Sequence, residues 1–254
     1  MTRGERRSDG AALVTGASSG IGRELAGVVA ADGYDVVLVA RREERLTDLV
    51  DDLESEFGVA ATALPVDLGE PGAAGTVATA VAERDVDVDL LVNNAGVARA
   101  GRFDETSLAA DRETLRVNVA ALTALTKRFV RPMVDRGAGG ILNVASIAGE
   151  APHPEMPVYA ATKAYVLSLS RALARQFGPL GVAVTALSPG WTDTATGRRM
   201  ADATGSDVRG WMDPARVARA GYDGLVAGDP VVIPGESNRR YVRDVHADRV
   251  SELD

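Results

Sequence analysis

Two residues of this chain, Tyr159 and Lys163, have the types and the spacing that acid–base chemistry needs. Residues four apart on an α-helix lie one above the other on the same face, so a phenol and an ammonium would project side by side. A free Tyr titrates near pH ~10 and a nearby cation favours the phenolate, so we expect Lys163 to lower the pKa of Tyr159. The pair therefore predicts a group that exchanges a proton near neutral pH.

Lysine is rare in this chain, which makes the spacing informative. Of the 28 basic residues only Lys127 and Lys163 are lysine, and five residues are tyrosine. A chance Tyr followed by Lys at the fourth position is expected about 0.04 times per chain of this composition. Tyr165 has Leu169 at its fourth following position, so we expect it in the core or at an interface and not in catalysis. The pair alone still leaves open an ordinary amphipathic helix with a solvated lysine.

A glycine-rich turn, Thr15–Gly22, follows the first apolar run of the chain and opens a stretch of helical periodicity. Glycines in such a turn let the backbone approach a pyrophosphate closely, and the helix N-terminus offers free N–H groups and a positive dipole end. The alternative is a glycine turn that binds nothing. The sequence predicts a dinucleotide phosphate site that contains Gly16, Ser18, Ser19, Gly20, Ile21 and Gly22.

The residues that follow the second apolar run bear on the choice of cofactor. In many dinucleotide-binding folds an acidic residue at this place binds the adenosine 2′-hydroxyl, but here Ala40 is followed by Arg41 and Arg42. A guanidinium binds a phosphate with two parallel hydrogen bonds, so the arginines favour NADP(H) over NAD(H). The alternative is that they pair with Glu43 and Glu44 on a solvated helix face.

The elements that must position these residues alternate between short apolar runs and longer stretches of helical periodicity, which is typical of βαβ units around a parallel sheet. The stretch from Trp191 to Met212 is polar, and we expect it to be irregular. Strands are expected at Ala11–Thr15, Asp35–Ala40, Ala60–Val66, Val88–Val92, Ile141–Ala145, Val182–Leu187 and Val231–Pro234. Helices are expected over 21–33, 46–57, 70–84, 107–135, a segment that carries Tyr159 and Lys163 and ends at Phe177, and 214–226.

Composition excludes several classes of protein. The chain has 254 residues, no cysteine and only two histidines, so a disulfide framework, thiol catalysis and a His-based metal site are not expected. Its formal charge of −8 argues against nucleic acid and anionic membranes as partners, since both need a basic surface. Residues 1–10 lack the apolar core of a signal peptide, so we expect a flexible N-terminal segment, one domain over 11–254 and a cytoplasmic location.

Further motifs complete a pattern along almost the whole chain. They are Asp67 after the third strand, Asn93-Asn94-Ala95-Gly96 after the fourth, Asn118 in the long helix, Ser146, and Pro189-Gly190 with Thr192 and Thr194. Together with the glycine turn and the Tyr–Lys pair, they make the chain resemble the short-chain dehydrogenase/reductase family in its ~250-residue form.

The resemblance implies a doubly wound, Rossmann-type α/β fold with a seven-stranded, mainly parallel sheet flanked by helices on both faces. It also implies a homodimer or homotetramer. Asp67 and Leu68 would lie at the adenine, and Asn93, Ala95 and Gly96 at the adenosine. The segment with Pro189, Gly190, Thr192 and Thr194 would hold the nicotinamide carboxamide, and Tyr159 and Lys163 would contact the cofactor as well.

The same resemblance gives the reactive residues their roles in an NADP-dependent oxidoreductase that interconverts a ketone or aldehyde with an alcohol. Tyr159 would be the general acid and base, and Ser146 would donate a hydrogen bond to the substrate oxygen. Lys163 would lower the pKa of Tyr159 and hold the nicotinamide ribose. Asn118 would anchor a water that connects Lys163 to solvent. Taken singly, Ser146 and Asn118 are also explained by local hydrogen bonds to the backbone.

Two other functions stay open at this point. One is a regulatory or sensor protein that binds NADP without catalysis, although such proteins usually lose Tyr159, Lys163 or Ser146. The other is a nucleotide-sugar epimerase or dehydratase of the longer relatives, against which the glycine spacing counts. The substrate itself is not predicted, because the two segments expected to contact it, 150–157 and 191–212, are polar and rich in small residues.

Overall fold

The computed structural model describes residues 10–251, with side chains as far as residue 248. The expected flexible segment lies, apart from Gly10, outside the described residues. One sheet contains seven strands in the order β3-β2-β1-β4-β5-β6-β7, and every neighbouring pair is parallel. The strands are β1 Ala11–Thr15, β2 Asp35–Ala40, β3 Ala61–Pro65, β4 Val88–Asn93, β5 Gly139–Val144, β6 Val182–Leu187 and β7 Val231–Val232.

Helices connect the strands and cover both faces of the sheet, as predicted. They are α1 Gly20–Ala31, α2 Glu43–Phe57, α3 Ala73–Ala82, α4 Leu108–Leu115, α5 Leu122–Arg136, α6 Pro157–Phe177, α7 Ala195–Thr204, α8 Pro214–Ala227 and α9 Glu236–Ser251. Among residues 10–251, no helix combines the length and the apolar composition that crossing a bilayer requires.

Strand β1 shows why the sheet has helices on both faces. Successive strand residues point to opposite faces, and all five β1 residues are buried. Ala12 and Val14 pack into the core formed with α1, α2 and α8, whereas Ala11 and Leu13 pack into the core formed with α3 and α5. A continuous apolar run is what a parallel strand buried on both faces requires.

The strand order reverses between β1 and β4, which pair directly although two strands separate them along the chain. The connections from β1 and β4 therefore diverge toward opposite edges of the sheet. This divergence opens a crevice beyond the carboxyl ends of the strands, where ligands bind in open α/β sheets.

The prediction of an irregular segment over Trp191–Met212 is wrong, because this segment contains α7. Thr194 caps the helix by accepting a hydrogen bond from the Gly197 N–H at 3.0 Å, and Gly205 ends it with φ 62°. Only Met200 and Ala201 of α7 are buried, so few apolar residues mark this helix in the sequence. The polar helix α9 was not predicted for the same reason.

The long helical region expected over 107–135 is present but is not uniform. Residues Arg116–Ala121, which lie between α4 and α5 and include Asn118, form a π-helix. Such widened turns occur mostly as single turns within α-helices and often mark functional sites. The last strand is shorter than expected, since only Val231 and Val232 pair with β6.

Candidate active site

A cleft of about 1120 Å³ lies at the carboxyl ends of the strands, and it collects most of the residues singled out in the sequence. The predicted residues that line it are Gly16, Ser18, Ser19, Gly20, Ile21, Arg41, Arg42, Asp67, Leu68, Ala95, Gly96, Ser146, Tyr159, Lys163, Pro189, Gly190, Thr192 and Thr194. The other three predicted residues, Gly22, Asn93 and Asn118, do not line the cleft and pack behind the residues that do.

The glycine turn has the backbone that a close ligand approach requires. Gly16 and Gly20 have φ values of 67° and 56°, which side chains other than glycine rarely adopt. Gly22 has a packing role: a Cβ there would lie 2.2 Å from Asn94 Nδ2 and 2.3 Å from the Gly16 carbonyl oxygen. The turn therefore needs glycine at all three positions, for two different reasons.

Arg42 points back toward the glycine turn and not toward its acidic neighbours. Its Nη2 donates to Ser18 Oγ at 2.8 Å and to Ser19 Oγ at 3.0 Å. Burial first, and then the neighbouring charges of Arg45 and Arg41, lower the pKa of Arg42 from its usual value. An anion placed here would compensate this positive charge.

Arg41 lies between two carboxylates. Its Nη1 is 3.8 Å from Asp67 Oδ2 and 4.0 Å from Glu113 Oε1. Within the described ion pairs, neither Arg41 nor Arg42 pairs with Glu43 or Glu44, and both arginines are exposed. Arg42 thus faces the turn and has no carboxylate partner among the ion pairs described for residues 10–248.

The turn after β4 is fixed to the glycine turn by Asn94. Its Nδ2 donates to the carbonyl oxygens of Thr15 at 2.9 Å and Gly16 at 3.2 Å, and its backbone N–H donates to Thr15 Oγ1 at 3.0 Å. Asn93 was predicted to lie at the adenosine, but its side chain lies in the core and donates to Thr126 Oγ1 and Asn143 Oδ1. Neighbouring residues at a strand end point in opposite directions, which explains the difference.

Ser146 and Tyr159 meet in the cleft. Ser146 follows β5 and caps the short 3₁₀ turn Ile147–Gly149, where its Oγ accepts a hydrogen bond from the Ala148 N–H at 3.2 Å. Tyr159 lies in the first turn of α6, which begins at Pro157. Burial raises the pKa of Tyr159, and a hydrogen bond with the Ser146 side chain opposes part of this rise. The phenol is therefore protonated at neutral pH.

Lys163 is buried beneath Tyr159. Its Nζ donates to the Val144 carbonyl oxygen at 2.7 Å and lies 5.7 Å from the centre of the Tyr159 ring. Burial lowers the pKa of Lys163 to about 8. The expected lowering of the Tyr159 pKa by Lys163 is not found in this structure. Burial is the largest cause of the shift in both groups, and it disfavours the charged form of each.

Asn118 lies close to Lys163, on the other side of Gly96. The Asn118 side chain exchanges two hydrogen bonds with the backbone of Val97 and donates a third to Thr162 Oγ1 at 3.0 Å. A Cβ at Gly96 would lie 3.5 Å from Asn118 Oδ1 and 3.6 Å from Lys163 Nζ. The backbone of Gly96 thus lies between the Asn118 side-chain amide and the Lys163 ammonium.

The loop after β6 forms the next part of the wall. Thr192 Oγ1 donates to the Gly190 carbonyl oxygen at 3.0 Å, and the Ile147 N–H donates to the Pro189 carbonyl oxygen at 3.1 Å. The second bond joins this loop to the turn that carries Ser146. The loop and the reactive serine are therefore positioned as one unit.

Several cleft residues were missed in the sequence. They are Ser237, Asn238 and Tyr241 of α9, whose polar sequence gave no signal for them. Met156 and Met200 also lie in the wall, within the two segments that were expected to contact the substrate. The Trp191 and Trp211 rings meet edge to face with their centres 6.1 Å apart.

Tyr165 is not a core residue: it is 38% exposed, and its hydroxyl hydrogen-bonds with Thr123 Oγ1 at 2.9 Å.

A parallel doubly wound sheet, a glycine turn at its first βα junction and a Ser-Tyr-Lys group beside that turn define a dinucleotide-binding oxidoreductase. The chain belongs to the short-chain dehydrogenase family, whose family model matches residues 10–204. This result confirms the resemblance drawn from the motifs.

Relatives of known structure or sequence agree with this assignment. A short-chain dehydrogenase from Sphingobium yanoikuyae, solved in complex with NADPH, superimposes with a TM-score of 0.83 at 34% identity, over 96% of this chain and 95% of that one. Galactitol 2-dehydrogenase (L-tagatose-forming) from Cereibacter sphaeroides is 37% identical over 224 residues, which are 87% of this chain and 86% of the relative.

Other relatives are longer than the part that matches. A short chain dehydrogenase from Pseudocercospora fijiensis is 37% identical over 188 residues, which are 73% of this chain and 60% of the relative. The chain thus spans about 60% of the length of some of the curated relatives that it matches.

Proposed function

We propose that this protein interconverts a ketone or aldehyde with an alcohol by hydride transfer, with NADP(H) as its preferred cofactor. The observation that carries the proposal is the position of Ser146, Tyr159 and Lys163, which share one cleft with the glycine turn. The relatives support it at the level of the reaction class, since they are named as dehydrogenases and reductases.

The residues at the dinucleotide end fit this cofactor. The positive-φ glycines leave a backbone surface that no Cβ obstructs, and Arg42 supplies a positive charge beside Ser18 and Ser19. A 2′-phosphate would be held by Arg42 and the pyrophosphate by Gly16–Ile21. The bound nicotinamide would supply or accept the hydride.

The proton is assigned to Tyr159. Because burial raises its pKa, this phenol holds its proton at neutral pH and can donate it to the oxygen of a carbonyl undergoing reduction. Ser146 would donate a hydrogen bond to the same oxygen. Lys163 would hold the nicotinamide ribose and return a proton to Tyr159, with Asn118 anchoring a water behind Gly96.

A panel of ketones, aldehydes and alcohols, followed by the absorbance of NADPH, tests the reaction. We expect Tyr159→Phe to lower turnover at least ~100-fold, because the proton donor is removed, and to leave NADPH affinity nearly unchanged. Tyr165→Phe is the matched control and should keep wild-type turnover. Retained turnover in Tyr159→Phe would contradict the mechanism, whereas a wild-type protein that binds NADPH but turns over no compound would favour the sensor alternative.

The cofactor preference has its own test. Fluorescence titration with NADPH and NADH should show tighter binding of NADPH, and Arg42→Ala should weaken NADPH binding by roughly 10- to 100-fold while it leaves NADH binding nearly unchanged. Arg23→Ala is the control, since Arg23 pairs with Asp52 and does not line the cleft. Equal affinities for the two cofactors in the wild-type protein would overturn the preference.

The proposal extends to the form in which the enzyme acts. We propose one folding unit over 11–254 and a homodimer or homotetramer, since apolar side chains are exposed on two neighbouring helices: Leu108 and Leu115 on α4, and Tyr165 on α6. A cytoplasmic location belongs to the same proposal, and a chain without cysteine suits that reducing compartment. Cell fractionation tests the location.

A further inference from the structure

Glu150 is a buried carboxylate outside the Ser-Tyr-Lys group, and its side chain is 6% exposed. Its Oε1 accepts a hydrogen bond from Arg171 Nη2 of α6 at 2.5 Å, and its Oε2 lies 3.0 Å from His246 Nε2 of α9. Burying a carboxylate is costly unless it is paired and hydrogen-bonded, as this one is on both oxygens. The carboxylate therefore joins three separate elements at one point.

The first of these elements is the turn that carries Ser146. The Gly149 N–H donates to the Ser146 carbonyl oxygen at 3.0 Å, and the Glu150 N–H donates to the Ile147 carbonyl oxygen at 2.9 Å. Glu150 is thus the end of a short rigid turn that starts at the reactive serine. Its contact with Arg171 ties this turn to α6, the helix that also carries Tyr159 and Lys163.

The element on the other side is α9, whose first turns form part of the cleft wall. Ser237, Asn238 and Tyr241 line the cleft. Asn238 packs against the loop after β6 so closely that a Cβ at Gly190 would lie 2.5 Å from its Oδ1. Helix α9 therefore contacts the loop after β6 near the start of the helix, and the turn that carries Ser146 near the end of the helix.

Little apolar packing is available to hold α9 in this place. Of its side chains as far as residue 248, only Val242 is a buried hydrophobic residue, and Tyr241 is 51% exposed. Polar contacts must supply the rest of the attachment. Among the described contacts of α9, the one between His246 and Glu150 reaches a buried carboxylate.

We propose that Glu150 is a positioning residue that holds α9 over the cleft through His246, and that Asn238 and Tyr241 on this helix are specificity-determining contacts for the substrate. The expected effect on KM rests on the proposed carbonyl reduction, whereas the expected effect on the attachment of α9 does not. When the contact is lost, α9 opens more often and the substrate wall is incomplete, whereas the glycine turn, Arg42 and the Ser-Tyr-Lys group keep their own contacts.

The test compares His246→Ala with Asp244→Ala, an exposed position on the same helix. Four quantities are measured. They are amide hydrogen exchange over 236–248, NADPH affinity, and KM and kcat with the ketone that the substrate panel identifies as reduced fastest. We expect His246→Ala to speed exchange in α9 and to raise KM, each about tenfold, with kcat and NADPH affinity within about twofold of the wild type. His246→Gln keeps an N–H donor at a similar reach and should restore most of both.

Glu150→Gln provides a second line of evidence, with circular dichroism as the check on folding because Arg171 also loses the negative charge of its partner. It should reproduce the KM effect of His246→Ala, and the double variant should add little to it. The proposal is overturned if His246→Ala exchanges like Asp244→Ala, or if it lowers kcat while KM stays constant. Hydrogen exchange requires no turnover, so it tests the contact between His246 and Glu150 even if the proposed reaction is wrong.

Discussion

At the scale of single residues, the position of Lys163 determines how its charge responds to pH. Its ammonium is surrounded by protein, and its one described hydrogen bond is to the Val144 carbonyl oxygen. Burial stabilises the neutral form of a lysine, which is why its pKa falls to about 8. The ammonium therefore loses its proton within the range in which enzymes are commonly assayed.

We predict that the affinity for NADPH is constant below about pH 8 and falls by roughly three- to tenfold as the pH rises through that value. The sign follows from the lowered pKa: above it Lys163 is neutral and no longer offers a cation to the ribose. Tyr159 does not interfere, because its pKa is raised above the usual value of 10.0. Fluorescence titration at a series of pH values measures the effect.

The two lysines of the chain give a matched pair of variants for this prediction. Lys163→Met should bind NADPH weakly and without dependence on pH in this range, whereas Lys127→Met should behave as the wild type. A pH dependence that persists in Lys163→Met would assign the titration to another group and would remove Lys163 from the cofactor site.

The same residues show what sequence can and cannot predict about a site. The four-residue spacing places Tyr159 and Lys163 on one helix face, because helix geometry alone determines that. The direction of the Lys163 amine toward Val144 and the burial that sets its pKa depend on β5, which is distant in sequence. Likewise the motif Asn93-Asn94 was recognised, but only the sheet determines that Asn94 faces the cleft and Asn93 the core.

At the scale of elements, helix α1 contains three glycines, of which Gly22 and Gly27 have different surroundings. A Cβ at Gly22 would meet the Gly16 carbonyl oxygen at 2.3 Å, whereas at Gly27 nothing lies within 4 Å of the same atom. Both positions are helical, so alanine gains similar helix propensity at each. The difference between the two substitutions therefore isolates the packing of the glycine turn.

We predict that Gly22→Ala lowers the free energy of unfolding by roughly 1–3 kcal/mol and weakens NADPH binding, because the turn must open to admit the methyl group. Gly27→Ala should raise the free energy of unfolding by roughly 0.5–1 kcal/mol and leave binding unchanged. Urea denaturation and NADPH titration of both variants measure this. A Gly22→Ala protein as stable as Gly27→Ala would contradict the packing argument.

The elements that sequence predicted well are those whose cause is local. The strands appear as apolar runs because both faces of a parallel sheet are buried, and α2 appears through Leu46, Leu49 and Leu53 on one side. Helices α7 and α9 carry few buried residues, so few apolar positions mark them in the sequence. The π-helix contains Asn118, whose side chain donates hydrogen bonds to Val97 and Thr162, and such distant partners cannot be read from a local pattern.

At the scale of the whole molecule, the exposed apolar residues are unevenly placed. Leu115 on α4 is 47% exposed and Tyr165 on α6 is 38% exposed, and these two helices contact each other. Tyr165 also hydrogen-bonds to Thr123 of α5, which orders its ring at the surface. Burial of this face against a second copy would remove the apolar side chains from water at roughly 25 cal/mol per Å².

We predict that the protein sediments at a multiple of its 26.5 kDa chain mass, and that Leu115→Glu shifts it toward the mass of one chain. The reason is that a glutamate at this position would be buried at the interface without a partner, which costs more than the lost apolar contact alone. Leu180→Glu is the control, since Leu180 is equally exposed at 47% but lies in the turn after α6. Sedimentation velocity at several protein concentrations measures the mass, and a wild-type protein that sediments as a single chain at all of them would contradict the oligomer. If both variants dissociate alike, the interface lies elsewhere than on α4 and α6.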